Sequence, residues 1–142
     1  MMEKNLTTRT GLIIGDEGIN KLKNSNVIVF GVGGVGSFAA EAIARAGVGN
    51  LTIVDFDDVD ITNINRQLPA LHSTVGKYKV EVMKDRILDI NPDINIKAIR
   101  EVYNKDTSES ILCEDYDYVV DAIDTVTSKL ALAEYCYKNN IN

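Results

Sequence analysis

The hexapeptide Gly31-Val32-Gly33-Gly34-Val35-Gly36 stands at the end of an unbroken apolar run, residues 26–31 (NVIVFG), and opens an alanine-rich stretch that continues to Ala46. That order constrains the fold more than any other feature of the chain. A continuous apolar run of this length is expected of a strand buried on both faces, as in a parallel sheet covered by helices on both sides. Glycines at the junction permit a tight turn and let backbone N–H groups approach a phosphate, while the next helix aims its positive end at the same place. Alone, G-x-G-x-x-G is a weak signal that a packing turn would also produce. The strand before it and the helix after it raise it above chance.

The rest of the chain repeats the alternation. Residues 51–55 (LTIVD) read as a second buried strand, and residues 94–100 alternate like a third. Residues 117–123 (DYVVDAI) read as a fourth. Between them, residues 34–46 read as a helix closed by Gly47 and Gly49, and residues 77–91 as the clearest helix, with Val80, Met83, Ile87 and Ile90 in one stripe before Pro92. Residues 15–24 and 106–112 suggest short helices, and 125–139 a longer one with Leu130, Ala133 and Tyr137 on one face. Residues 1–14 carry few periodic signals and read as an arm. The expected fold is therefore α/β, a Rossmann-like, doubly wound and mainly parallel sheet with helices on both faces. Residues 56–76 are polar and irregular, long for a strand-to-helix connection, and loops of that length are often functional. After the last helix, Ile141-Asn142 looks like the entry to a further strand. This predicts that residues 1–142 are the N-terminal portion of a longer nucleotide-binding domain.

Composition excludes several classes. With 45% hydrophobic and 25% charged residues the chain is globular rather than disordered. No apolar run is long enough for a membrane span, and the start has no secretory order. Cys113 and Cys136 form no Cys-x-x-Cys pair and suggest neither a zinc site nor a disulfide framework, which fits a reducing cytosol. A net charge of −6 argues against coating nucleic acid by bulk electrostatics, although residues 77–105 hold seven Lys or Arg against five Asp or Glu.

Three further groups carry chemistry. Asp55 ends the second strand, 19 residues past Gly36, where a carboxylate can bind the hydroxyls of an adenosine ribose. Up to here a nicotinamide dehydrogenase and an ATP user read equally well. Asp57 follows; Asp58 and Asp60 read better as a solvated acidic loop. The run Asn63-Ile64-Asn65-Arg66-Gln67, with Lys79 13 residues after Arg66, separates the two readings. An arginine on an extended loop and a lysine in the first turn of a helix can surround a triphosphate, and attack on an α-phosphate needs that charge as pyrophosphate departs. Taken alone, each is more often a solvated surface charge. Finally, Asp121-Ala122-Ile123-Asp124 lies at the carboxyl end of the fourth strand. Asp124 there can hold Mg²⁺ beside phosphate oxygens, and either acid can instead cap the next helix.

These residues, in this order, resemble the ubiquitin-activating-enzyme/ThiF/MoeB/HesA superfamily from about Arg9 to Asn142. The resemblance implies an ATP-dependent adenylyltransferase in which Gly31, Gly33, Gly34 and Gly36 form the ATP loop and Asp55 binds ribose. It implies that Asn63, Arg66, Gln67 and Lys79 hold the phosphates, with Asp57 and Asn65 among the ATP-binding residues and Asp124 organising Mg²⁺ and the reacting carboxylate. Members are commonly homodimers in which an arginine of the N-terminal arm reaches the partner's ATP, and Arg9 fits that position. Residues 37–47, Ile64-Asn65 before Arg66-Gln67, and Lys129 after Asp121-Ala122-Ile123-Asp124 are most similar to the branch that dehydrates threonylcarbamoyladenosine in tRNA. That implies a tRNA substrate. A ubiquitin-like sulfur-carrier protein is the alternative acceptor, with the same ATP residues, and an NAD-binding dehydrogenase is a more remote alternative.

Overall fold

The computed structural model describes residues 4–142, so Met1, Met2 and Glu3 of the expected arm lie outside the described residues. Four strands form one all-parallel sheet: β1 (Asn26–Phe30), β2 (Asn50–Val54), β3 (Asn95–Ile99) and β4 (Tyr118–Asp121), in the order β3-β2-β1-β4. The helices are α1 (Thr8–Asn24), α2 (Gly36–Ala46), α3 (Lys79–Ile90), α4 (Ser108–Ile111) and α5 (Val126–Lys138).

Strand β1 is central, and its apolar run serves both faces by alternation. Val27 and Val29 pack with Leu51 and Ile53 beneath Ala40 and Ala44 of α2 and Val80, Met83 and Ile87 of α3. Ile28 and Phe30 point the other way, into Tyr103, Ile111, Leu112, Tyr116 and the α5 residues Ala131 and Leu132. Each of these large side chains contributes about 1.5–3 kcal/mol by leaving water, which is why β1 has no polar alternate. The expected doubly wound α/β arrangement is the one found.

Two elements differ from expectation. The face of α5 expected to pack is the one that faces out: Leu130 is 66% and Tyr137 86% exposed. Ala131 and Leu132 are buried instead, with Tyr135 and Cys136 against the same cluster. An apolar residue recurs on two sides of this helix, so periodicity alone does not choose between them. The arm is also helical from Thr8, joined to the expected helix across a bend at Gly15 (φ 70, ψ 179). Asn5 Oδ1 accepts from Thr7 N–H at 3.1 Å just before the first turn. No residue of α1 is buried, so no apolar stripe announced it.

Candidate active site

An open cleft of about 680 Å³ lies over the carboxyl ends of the strands. The strand order reverses between β1 and β4, which is where an open parallel sheet leaves a crevice for ligands. A smaller cavity of about 370 Å³ at the opposite rim, among Asn26, Asn50 and Asn95, holds none of the expected residues.

The four glycines divide between two tasks. Gly31 has φ 87, and a Cβ there would come 2.6 Å from the Ala122 carbonyl oxygen. A Cβ on Gly36 would collide with the Gly31 carbonyl. These two allow the loop to close against the sheet. Gly33 and Gly34 face the cleft with ordinary room, their nearest neighbours being Gln67 Nε2 at 3.4 Å and Arg66 Cγ at 3.8 Å. Among the described residues, no backbone hydrogen bond takes up the N–H groups of Gly33, Gly34 and Val35. They sit at the positive end of α2, which suits an anion.

Asp55 braces this loop from below. Its carboxylate accepts from Val32 N–H at 2.8 Å and Asp57 N–H at 2.9 Å. Each carboxylate oxygen retains acceptor capacity for a hydroxyl on the cleft side.

The opposite wall is built by a reciprocal cap. Asp60 accepts from Thr62 N–H at 2.8 Å, and Asn63 Oδ1 accepts from Asp60 N–H at 3.0 Å. The Thr62 hydroxyl, then its N–H, hold the Asp60 carboxyl below the usual carboxylate range. The buried Asn63 then takes Arg66 N–H and Gln67 N–H on its carbonyl. Arg66 is aimed by Thr62 O at 3.0 Å and Asn65 Oδ1 at 2.8 Å. Asn65 is thus turned to Arg66, while Asn63, Arg66 and Gln67 line the cleft. The buried Ser37 joins this wall to the glycine loop: its hydroxyl donates to Gly33 O and accepts from Leu68 N–H. Gln67 places Nε2 next to Gly33, and its Oε1 is buried with no partner among the described residues. Lys79 opens α3, and its Nζ meets Asp57 at 3.0 Å.

The two acids at the carboxyl end of β4 have separate roles. Asp121 pairs with Lys129 at 2.9 Å and accepts from Ile123 N–H at 3.0 Å. Asp124 lines the cleft, and its only bond within the described residues is from the Thr125 hydroxyl at 3.4 Å. Thr125 is the N-cap of α5 and makes no side-chain cap bond, so neither acid caps that helix. An open carboxylate of this kind can hold Mg²⁺ where phosphate oxygens are also supplied, since that ion takes one or two carboxylates plus phosphate oxygens. Arg9 is exposed on the first turn of α1 and does not line the cleft of its own chain.

Sequence reasoning missed one lobe. Phe56, Glu101, Val102 and Tyr103 join Phe30 and Val54 in lining the cleft. Residues 101–103 lie just past β3, one residue beyond the position that Gly31 holds after β1 and Asp55 after β2, so the carboxyl-end rule was the available signal.

The family model for ThiF matches residues 7–142. The tRNA threonylcarbamoyladenosine dehydratase of Bacillus subtilis is 55% identical over 134 residues, 94% of this chain and 53% of that protein. The crystal structure of the Escherichia coli tRNA N6-threonylcarbamoyladenosine dehydratase in complex with ATP superposes with a TM-score of 0.92 at 42% identity, covering 94% of this chain and 55% of that one. The Escherichia coli molybdopterin-synthase adenylyltransferase is 38% identical over 121 residues, 85% of this chain and 48% of that protein. The chain spans about half the length of the curated relatives it matches. With a family model covering nearly all of it and the glycine loop, Asp55, Arg66, Lys79 and Asp124 around one cleft, the chain belongs to the ThiF family.

Proposed function

We propose that this chain is the ATP-binding part of an enzyme that adenylates the threonyl carboxylate of threonylcarbamoyladenosine in tRNA, leading to its cyclic form. The observation that most supports this is that Gly33, Gly34, Asp55, Arg66, Lys79 and Asp124 line one cleft of about 680 Å³. In this reading the free N–H groups of Gly33 and Gly34 receive phosphate oxygens and Asp55 receives the ribose hydroxyls. The apolar side chains of Phe56 and Val102 on the cleft lining face the adenine in this reading. Arg66, Lys79, Asn63 and Gln67 hold the outer phosphates, and Asn65 acts by aiming Arg66.

A carboxylate oxygen of the substrate attacks the α-phosphorus, the bond to the bridging oxygen breaks, and pyrophosphate leaves. Arg66 and Lys79 stabilise the charge that accumulates on it. Asp124 holds Mg²⁺, which when bound neutralises phosphate charge. Ring closure on the activated carbonyl then expels AMP. The exposed Leu12 (78%) and Ile13 (87%) of α1 support a two-fold dimer in which this helix meets a second copy and Arg9 reaches that copy's phosphates. Cys113 and Cys136 are free thiols, consistent with a cytosolic enzyme. The same ATP site would serve adenylation of a sulfur-carrier protein, a reading supported by the molybdopterin-synthase relative. The higher identity to the bacterial dehydratases favours tRNA.

Titration with ATP, AMP and NAD tests the nucleotide. Asp55→Ala is expected to weaken ATP and AMP alike, and Arg66→Ala or Lys79→Ala to weaken ATP much more than AMP. Equal losses for the two nucleotides would contradict the roles given to Arg66 and Lys79.

A further inference from the structure

We propose that Arg100, outside the cleft and outside every motif above, is a positioning residue for the phosphate clamp. It ties the loop that carries Asp57 to the start of the helix that carries Lys79. The inference rests on the nucleotide reading above and extends it to a residue that touches no nucleotide.

Arg100 follows β3 directly, and its guanidinium reaches two segments at once. Nε donates to the Phe56 carbonyl at 3.2 Å, and an Nη to the Asp58 carboxylate at 3.1 Å. The same plane lies over the Tyr78 ring, 3.7 Å from its centroid, and 5.1 Å from that of Phe56. Phe56 and Asp58 flank Asp57, and Tyr78 immediately precedes Lys79. Between these flanks Asp58 bridges Tyr78 in antiparallel fashion, and Lys79 N–H donates to Asp57 O at 3.1 Å. The ion pair of Asp57 and Lys79 is therefore one end of a short two-stranded contact centred on Asp58 and Tyr78, and Arg100 packs against that centre. Phe56, Asp57 and Lys79 line the cleft, whereas Asp58, Tyr78 and Arg100 do not.

A fork of N–H donors on a flat cation suits this place. It can satisfy a carbonyl and a carboxylate while stacking on a ring, which an ammonium cannot do together. Arg100, Asp58, Phe56 and Tyr78 are all substantially exposed, so the cluster adds little by burial. Its effect is geometric: without it, the Asp57 loop and the Lys79 turn are joined by backbone bonds such as Lys79 N–H to Asp57 O and Val59 N–H to Lys77 O, and lose the side-chain brace that fixes their mutual angle.

The test uses the intact chain with ATP and AMP as probes and four variants: Arg100→Met, Arg100→Lys, Lys79→Ala and the double variant Arg100→Met/Lys79→Ala. Arg100→Met is expected to weaken ATP about tenfold and AMP less than about threefold, the size expected for a displaced charge-assisted contact. Arg100→Lys is expected to fall between, because it keeps the charge beside Asp58 and loses the stack and the fork. Adding Arg100→Met to Lys79→Ala should cost ATP almost nothing more, since both act through one side chain. Thermal melts accompany each titration, so that a folding defect shows as a lowered Tm together with equal loss of both nucleotides. That equal loss, or full additivity in the double variant, overturns the proposal while an ATP-selective Lys79→Ala leaves the nucleotide reading standing. A Lys79→Ala that fails to discriminate ATP from AMP overturns both, and is recognisable because it does not involve Arg100.

Discussion

Lys79 Nζ stands 3.0 Å from the Asp57 carboxylate, with the lysine side chain 7% exposed and the aspartate side chain 68% exposed. The cation is thus sheltered while its partner faces solvent, an arrangement in which a phosphate can replace the carboxylate. Asp57→Asn leaves the sheltered ammonium without its counter-charge. It is expected to destabilise the unliganded chain by on the order of 1 kcal/mol, the exposed partner limiting the effect. Saturating ATP should remove most of that difference. Thermal melts with and without ATP check this, and an equal deficit in both would contradict the exchange.

The glycines of the loop are expected to separate on substitution. Gly36→Ala places a Cβ against the Gly31 carbonyl and 3.0 Å from Ala122 Cβ, so it should fail to fold or lose about 3 kcal/mol or more. Gly34→Ala meets nothing closer than Arg66 at 3.8 Å. It should keep its Tm within about 2 °C and still bind ATP more weakly, by crowding the approach of phosphate to backbone N–H groups. Calorimetry and ATP titration on both variants distinguish the tasks.

Glu41 ties the glycine-loop helix to the Lys79 helix. Its carboxylate takes Arg86 of α3 and, at 2.8 Å, Arg45 of its own helix. The hydrogen bond from Arg86 leads in holding the Glu41 carboxyl below its ordinary value, with Arg45 assisting and burial opposing. A carboxylate depressed in the folded state contributes stability above its unfolded pKa and loses it as pH falls through the folded one. Glu41→Gln should therefore be less stable than the parent at pH 7 by on the order of 1 kcal/mol. The two stability curves should converge as pH drops below about 4. Denaturant unfolding across pH 3–8 reads this directly; a gap that persists at acid pH would place the effect elsewhere.

If Arg9 serves the neighbouring copy, defects in two different chains should complement. Mixing Arg9→Ala with Lys79→Ala subunits that exchange freely should restore about one working site per heterodimer. Pyrophosphate release measures it, and no recovery would mean Arg9 does not act across subunits.

The sheet was legible because β1 and β2 are buried on both faces, and only continuous apolar runs fit there. Gly33, Asp55 and Lys79 were legible because each stands by a strand end or a helix start, where spacing has geometric meaning, and Arg66 because its Asn-x-Asn-Arg-Gln run interrupts the long loop between them. The packed face of α5 was not, since Leu130 and Leu132 lie on opposite sides and only tertiary contact with Ile28 and Phe30 selects one. Asn65 could be placed beside Arg66 from sequence, but not turned toward it. The place of Arg100 just past β3 was visible, but its contacts were not, because its hydrogen-bond partners lie 42 and 44 residues away along the chain.

The central claim is tested most directly by following AMP and pyrophosphate released from ATP in the presence of each acceptor. The measurement uses tRNA carrying threonylcarbamoyladenosine, the same tRNA without the modification, and a ubiquitin-like carrier protein ending in glycine. Release should depend on the modified tRNA, appear with neither of the others, and disappear in Lys79→Ala. Release with the carrier protein alone, or hydrolysis indifferent to all three acceptors, would contradict adenylation of the tRNA carboxylate.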